Sequence, residues 1–208
     1  MQPPDTHFYQ PRLGHRLPHD PFKSIIAPRP IGWISSLDPA GRPNLAPYSF
    51  FNAFAEDPPI IGFSSYSPKD SQRNIEATRE FVFNLATFDL ARQMNQTSGP
   101  YPHGANEFEI ARLEPAPSTL VKPPRVADSP AALECKLTQI VPLLNLDGQS
   151  THNTLILGQV VGVHIRPEFL ANGLFDMTRA GTIARCGYRA DYAHITELFK
   201  MPRPSGGA

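Results

Sequence analysis

For most of its length the chain alternates short apolar runs with turn-forming residues. Ile31–Leu37 predicts a strand, and Asp38-Pro39-Ala40-Gly41 a turn in which Gly41 takes the positive φ that other residues resist. Asn44–Phe51 predicts the returning hairpin strand, and Ile60–Ser65 a nearly continuous apolar third strand. At Asp70, a short carboxylate able to accept the first free amides predicts the N-cap of a helix running to about Arg79. Phe81–Ala86 predicts another buried strand, Phe88–Gln96 a short helix and Asn106–Arg112 a second. Ala132–Leu144 and Asn153–Ile165 predict two long strands, the latter with Gly158 and Gly162 inside it. Glycines within a strand predict a bulge or the close approach of another backbone or a ligand. Long antiparallel strands with few helices predict a mainly β protein, a barrel with short peripheral helices.

Twenty-four prolines, clustered at 3–30, 100–130 and 202–204, argue against long helices. They divide the chain into an amino-terminal arm (1–20), one domain (21–199) and a flexible tail (200–208) ending Pro-Ser-Gly-Gly-Ala. A chain of 208 residues is long enough to bury a core of its own. No fixed-period repeat is visible.

Charge narrows the function classes. Lys+Arg and Asp+Glu both total 19, so no net field recruits nucleic acid or an anionic membrane. No apolar run approaches the roughly 18 residues of a membrane span, and residues 1–20 lack the apolar stretch of a signal peptide. Cys135 and Cys186 read as two reduced thiols, which fits a cytoplasmic protein. The seven histidines form no His-x-x-x-His pair on a predicted helix, so no metal site is expected. Gly-x-Gly-x-x-Gly, Gly-x-x-x-x-Gly-Lys-Ser/Thr and Gly-x-Ser-x-Gly are all absent, which disfavours Rossmann, P-loop and hydrolase chemistry.

What remains is concentrated between Arg29 and Ala86. Ser64-Ser65-Tyr66-Ser67-Pro68-Lys69-Asp70-Ser71 joins a buried strand to a helix start, where amides, hydroxyls and the positive dipole end suit a phosphate. The same residues also make an ordinary polar loop before a capped helix. Trp33, Tyr48, Phe50 and Phe51 suit a barrel core without any ligand, whereas Ser35, Ser36, Ser49 and Asn52 need polar partners there. A flat ring carrying a phosphate, such as FMN, matches both halves.

In order, the chain carries Arg-Pro-Ile-Gly-Trp-Ile-Ser-Ser (29–36), Gly41-x-x-Asn44, Ala46-Pro-Tyr-Ser-Phe-Phe-Asn52, Pro58-Pro59 and Lys69-Asp-Ser-x-x-Asn74-Ile. Glu80-Phe-Val-Phe-Asn84, Glu107-Phe108, Glu134-Cys135, Leu157-Gly-Gln-Val-Val161 and Ala184-Arg185 follow. This series, over roughly residues 20 to 195, resembles the flavin reductase-like, FMN-binding split-barrel family, which includes flavoredoxins and reductase components of two-component monooxygenases. The resemblance implies a split β-barrel, a homodimer and FMN near the dimer interface. It places Trp33, Ile34, Ser35, Ser36, Pro47, Tyr48 and Ser49 along the ring and ribityl chain, with Asn52 beside them. Ser65, Lys69, Asp70 and Ser71 form the phosphate end, and Arg185 and Tyr192 approach a flavin across the dimer.

The activity so implied is NAD(P)H-dependent flavin reduction, with NADH or NADPH as reductant and an oxygenase as a possible partner. The cofactor does the redox chemistry, so no side chain is assigned a catalytic role. An electron carrier with little NAD(P)H activity and a flavin-binding module without turnover are the alternatives. One departure bears on them. Short-chain reductases of this family often carry a His five residues before the Gly of the Gly-x-Val strand, and here that position is Asn153, with His152 one residue earlier. The Thr97–Asp128 segment is longer than a minimal reductase needs and is a candidate cover for the site or the dimer surface.

Overall fold

The structure is a computed structural model that describes residues 6–188 and 190–204. The ends of the arm and tail, 1–5 and 205–208, lie outside the described residues. The strands are β1 (Arg29–Pro30), β2 (Gly32–Leu37), β3 (Pro43–Tyr48), β4 (Phe51–Glu56), β5 (Pro59–Tyr66), β6 (Glu80–Leu85), β7 (Pro115–Ala116), β8 (Arg125–Val126), β9 (Ala131–Leu144), β10 (Ser150–Ile165), β11 (Leu170–Ala171), β12 (Leu174–Phe175), β13 (Ile183–Arg185) and β14 (Tyr192–His194). The α-helices are α1 (Phe22–Ile25), α2 (Asp70–Thr78), α3 (Ala91–Gln96) and α4 (Glu107–Ile110).

Seven strands form one antiparallel sheet in the order β3-β2-β6-β9-β10-β5-β4. Its two edge strands, β3 and β4, are joined by Ser49 and Phe50 alone. A flat seven-stranded sheet would hold its edges roughly 29 Å apart, whereas three Cα steps span about 11 Å. The sheet must therefore curl until its edges meet, and in the link Phe50 O accepts from Ser64 N at 2.8 Å, extending the β4–β5 pairing to the turn. The result is the split barrel expected from sequence.

Side chains alternate between two cores on the two faces of β2. Ile34 points into the barrel with Tyr48, Phe63, Ile75, Phe81, Cys135 and Ile156. Trp33 points outward into a second core with Leu45, Met94, Phe108, Val126 and Ile183, beneath α3 and α4. Barrel walls are crowded at Gly158, where a Cβ would lie 2.3 Å from Phe81 Cε1. Register shifts fall between Leu157 and Gly158 and between Val160 and Gly162, so both interior glycines mark the bulges expected of them.

Other expectations change. The predicted strand Asn44–Phe51 stops at Tyr48, because the chain crosses from one sheet edge to the other there. Phe51 then opens β4 and pairs with Phe63. Phe51 stacks on Phe83 at 4.8 Å, as a core residue should, but Phe50 is an exposed one. Ile61 and Phe63 of the apolar third strand are buried inside the barrel. The helix at 70 forms, with Lys69 rather than Asp70 at its N-cap. The two later helices shrink to α3 and α4, and Asn106 caps α4 by accepting from Phe108 N.

Candidate functional site

Pro68 ends the loop after β5, and Lys69, extended at φ −86° and ψ 171°, hands the chain into α2. The first intrahelical bond is Arg73 N to Lys69 O at 3.0 Å, and no side chain caps the amides before it. Such an end presents partial positive charge to whatever lies in front of it. Lys69, Asp70 and Ser71 line a cavity of about 580 Å3, completed by Pro47, Ser98, Tyr101 and His103.

Asp70 does different work from the cap predicted for it. Its Oδ1 lies 2.7 Å from His103 Nδ1, and its Oδ2 accepts from Gly104 N at 3.1 Å. Burial raises its pKa, but the His103 and Gly104 contacts and the Arg73 charge outweigh that and hold the carboxyl below its ordinary range. On the inner side, Ser71 Oγ donates to Asn44 Oδ1, and Asn44 Nδ2 donates to Glu107 Oε2, both at 2.9 Å. Glu107 also accepts from Leu45 N at 3.0 Å. Tyr48 reaches the same cavity with a buried hydroxyl that makes no hydrogen bond of good geometry among the described residues. Burial pushes its pKa up, while the flanking Ser71 and Ser65 hydroxyls pull it down.

At Pro47 and Ser98 this cavity adjoins a larger one of about 1200 Å3, lined also by Ile31, Ser49, Met94, Arg29, Arg185 and Tyr192. Arg185 and Tyr192 are cross-strand partners in the β13–β14 pair. The guanidinium lies 4.6 Å from the Tyr192 ring centroid and donates to its hydroxyl at 2.5 Å. A third cavity, of about 760 Å3, shares Arg29 and Ser49 with the second and is lined by Phe50, Asn52, Phe54, Leu144, Asn153 and Leu155.

The structure thus gathers Pro47, Tyr48, Ser49, Lys69, Asp70, Ser71, Arg185 and Tyr192 along two joined cavities, with Asn52 at the third. Ser65 lies behind the wall, its Oγ donating to Ser67 O at 3.3 Å. Trp33, Ile34, Ser35 and Ser36 are fully enclosed, with no side chain reaching the cleft. Trp33 Nε1 donates to Thr97 Oγ1 at 2.9 Å, which fixes Thr97 in the wall of the smaller cavity. Ser35 donates to Pro124 O at 2.6 Å, and Ser36 accepts from Asn74 Nδ2 at 3.2 Å. Their hydroxyls find protein partners where a flavin was expected to supply them. Sequence reasoning passed over Arg29, Ser98 and His103 as site residues. Arg29 opened the most informative stretch of the sequence, but nothing local marked it as lining a cavity.

Residues 25–182 match the flavin reductase like domain. The chain belongs to that family. A protein of Deinococcus radiodurans is 30% identical over 95% of this chain and 89% of its own length. Among solved structures, nitrilotriacetate monooxygenase component B from Bacillus cereus superposes with a TM-score of 0.81 at 29% identity, covering 86% of this chain and 90% of that one. The 2-nitrobenzoate 2-nitroreductase of Pseudomonas fluorescens gives a TM-score of 0.78 at 28% identity, covering 88% and 89%. The family and these neighbours make the chain a flavin-related oxidoreductase.

Proposed function

We propose that this chain is an FMN-dependent reductase that takes its electrons from NADH or NADPH and works as a homodimer. The observation that carries the reading is an uncapped helix end with Lys69 at one end of a cleft that widens between Pro47 and Arg29. One phosphate fits the α2 end, while the orphaned Tyr48 hydroxyl and the Ser49 and Ser98 hydroxyls offer partners to a polyol chain. A mononucleotide suits this better than a dinucleotide, since among the described residues α2 is the one helix whose uncapped start lines the smaller cavity.

In this reading Lys69, Ser71 and the first-turn amides hold the phosphate. Pro47, Ile31 and Met94 give the ring an apolar wall, and Arg185 with Tyr192 closes the far side. Trp33 to Ser36 act from behind, with Trp33 positioning Thr97. When bound, FMN supplies the hydride chemistry, and the chain's task is to bind, orient and keep water from the ring.

Phe54 and Leu144 are 53% and 61% exposed beside the third cavity, an apolar area that a second copy would cover. Among the described residues no helix is long and apolar enough to cross a membrane, which agrees with work in the cytoplasm. The likeness to a monooxygenase component supports transfer of reduced flavin to an oxygenase. Asn153 favours a second reading, an electron carrier with little NAD(P)H activity, because it stands at the cavity wall in the place where the family resemblance leads one to expect His.

Absorption titration of the apoprotein with FMN and FAD, followed by anaerobic NADH or NADPH, separates these outcomes. Tighter FMN binding and bleaching by either nucleotide are expected. Preference for FAD overturns the FMN assignment, and a bound flavin that neither nucleotide bleaches supports the carrier.

A further inference from the structure

Arg29 is 7% exposed, and among the described residues no carboxylate lies within ion-pair distance of it. A buried guanidinium without a counter-ion is costly, and most proteins pair it. Arg29 has five N–H donors. One terminal nitrogen donates to Lys23 O and the other to Cys186 O, the latter at 2.8 Å. Both acceptors are neutral carbonyls, and Nε has no partner among the described residues. Phe50 offers only a ring face, its centroid 5.9 Å from the guanidinium carbon.

The place matters as much as the charge. Arg29 and Ser49 line both the 1200 Å3 and the 760 Å3 cavity, so they stand at the seam between them. On one side of the seam Lys23 and Arg185 add positive charge. The one carboxylate there is Asp20, whose Oδ1 accepts from Phe22 N at 2.9 Å. On the other side the wall is apolar at Ile26, Phe50, Phe54 and Leu155, beside the polar Asn52, Ser64, Thr151 and Asn153.

We infer that Arg29 anchors a second ligand site, for a planar organic anion of the aromatic-carboxylate class, at the seam of the two cavities. The guanidinium receives the carboxylate, a pairing its planar fork favours, and the aromatic body lies against the apolar side. This rests on the reading that FMN takes the Lys69 end, and makes the anion the second substrate presented to that flavin. A second copy over Phe54 and Leu144 would roof the site.

The probes are benzoate and benzamide, equal in shape and different in charge, titrated calorimetrically into the purified FMN-loaded protein. Benzoate is expected to bind about tenfold or more tightly than benzamide, the scale of a charge-assisted hydrogen bond. Arg29→Gln, checked for folding by circular dichroism and for FMN by absorbance, should erase that preference, and Arg29→Lys should keep part of it. Equal affinities in the parent protein overturn the site, as does a benzoate preference that survives Arg29→Gln. An Arg29→Gln variant that moves the flavin potential while leaving benzoate binding intact also overturns it, because the charge then serves the flavin. Should Arg29→Gln not fold, Arg29→Lys and the parent comparison decide. The same titration of flavin-free protein separates the two readings: failure to bind FMN overturns the reductase reading and the anion's role as its second substrate, while a benzoate preference lost in Arg29→Gln still supports the anion site itself.

Discussion

Asp70 Oδ1 lies 2.7 Å from His103 Nδ1, so the first residue of α2 is tied to a loop 33 positions further along the chain. The same carboxylate holds Gly104 N, and the loop it clamps supplies Ser98, Tyr101 and His103 to the cavity wall. Asp70→Asn should loosen this loop. Amide hydrogen exchange at 99–104 should accelerate by on the order of tenfold, the scale of about 1–2 kcal/mol for a charged hydrogen bond. The parent should show the same acceleration in acid. Because the Asp70 pKa is depressed, its contribution is present above the ordinary Asp value of about 3.9 and is lost as pH falls through the lower folded value. Unchanged exchange in Asp70→Asn at neutral pH would show that the clamp does not hold the loop.

Lys69 is exposed, and its ammonium has no partner among the described residues. Lys69→Ala should weaken FMN by about 1–3 kcal/mol while leaving the melting temperature within a degree or so, since an exposed lysine contributes little to folding. Flavin titration and thermal melting read the two effects separately. Equal FMN affinity in mutant and parent would make Lys69 a solvated charge.

Much of this arrangement was legible in the sequence, and the failures have a physical pattern. Strands β5, β6, β9 and β10 were readable because their apolar positions persist, and Gly158 and Gly162 marked real bulges. β4 was missed because its residues after Phe51 are all exposed, leaving no buried–exposed alternation to detect. Trp33 was read as suiting the barrel core and, with Ile34, was expected along the flavin ring, whereas both side chains are enclosed. A strand packed on both faces hides which side chain serves which core, and Trp33 belongs to the one away from the barrel. Ser35 and Ser36 needed partners, as expected, but found them at Pro124 and Asn74, contacts that only the tertiary fold creates. Asp70 had the right chemistry for a cap, and a better use in His103.

Glu134 is 0% exposed and accepts from Thr119 N and Leu120 N at 2.6 Å each, from Val121 N at 3.0 Å, and contacts His164 Nε2 at 2.5 Å. Burial raises its pKa, but the Thr119 amide, His164 and the Leu120 amide outweigh that and hold it below the ordinary Glu range. Its stabilisation is therefore present above about pH 4.3 and is lost as pH falls through the lower folded value. Glu134→Ala strands three amides and should destabilise by about 3–5 kcal/mol. Glu134→Gln should flatten the acid limb of a stability–pH curve measured by urea unfolding. An acid limb identical to the parent's would assign acid sensitivity to other groups.

At Gly158 the bulged strand passes close over Phe81, where an added Cβ would sit 2.3 Å from Cε1 and 3.3 Å from Cys135 Cβ. Phe81 is fully buried in the barrel, so its ring has no free space into which to swing. Gly158→Ala should destabilise by about 1–3 kcal/mol through overpacking, lowering the melting temperature by roughly 2–12 °C in a chain of this size. A rise in melting temperature would mean that the strand backbone yields instead, and that the bulge is softer than its packing indicates.

Dimerisation makes the most demanding prediction, because it links an apolar surface to the cofactor. Phe54 and Leu144 line the 760 Å3 cavity and remain more than half exposed in the single chain. That cavity adjoins the cleft proposed for flavin through Arg29 and Ser49, so covering one partly closes the other. Light scattering of the FMN-loaded protein should give twice the 23.0 kDa chain mass. Leu144→Glu should return it to one chain mass and weaken FMN severalfold, although Leu144 does not line the cavity at Lys69. A parent protein of single-chain mass that binds FMN tightly would refute the shared pocket. A Leu144→Glu monomer with parental FMN affinity would keep the dimer and remove its role in binding.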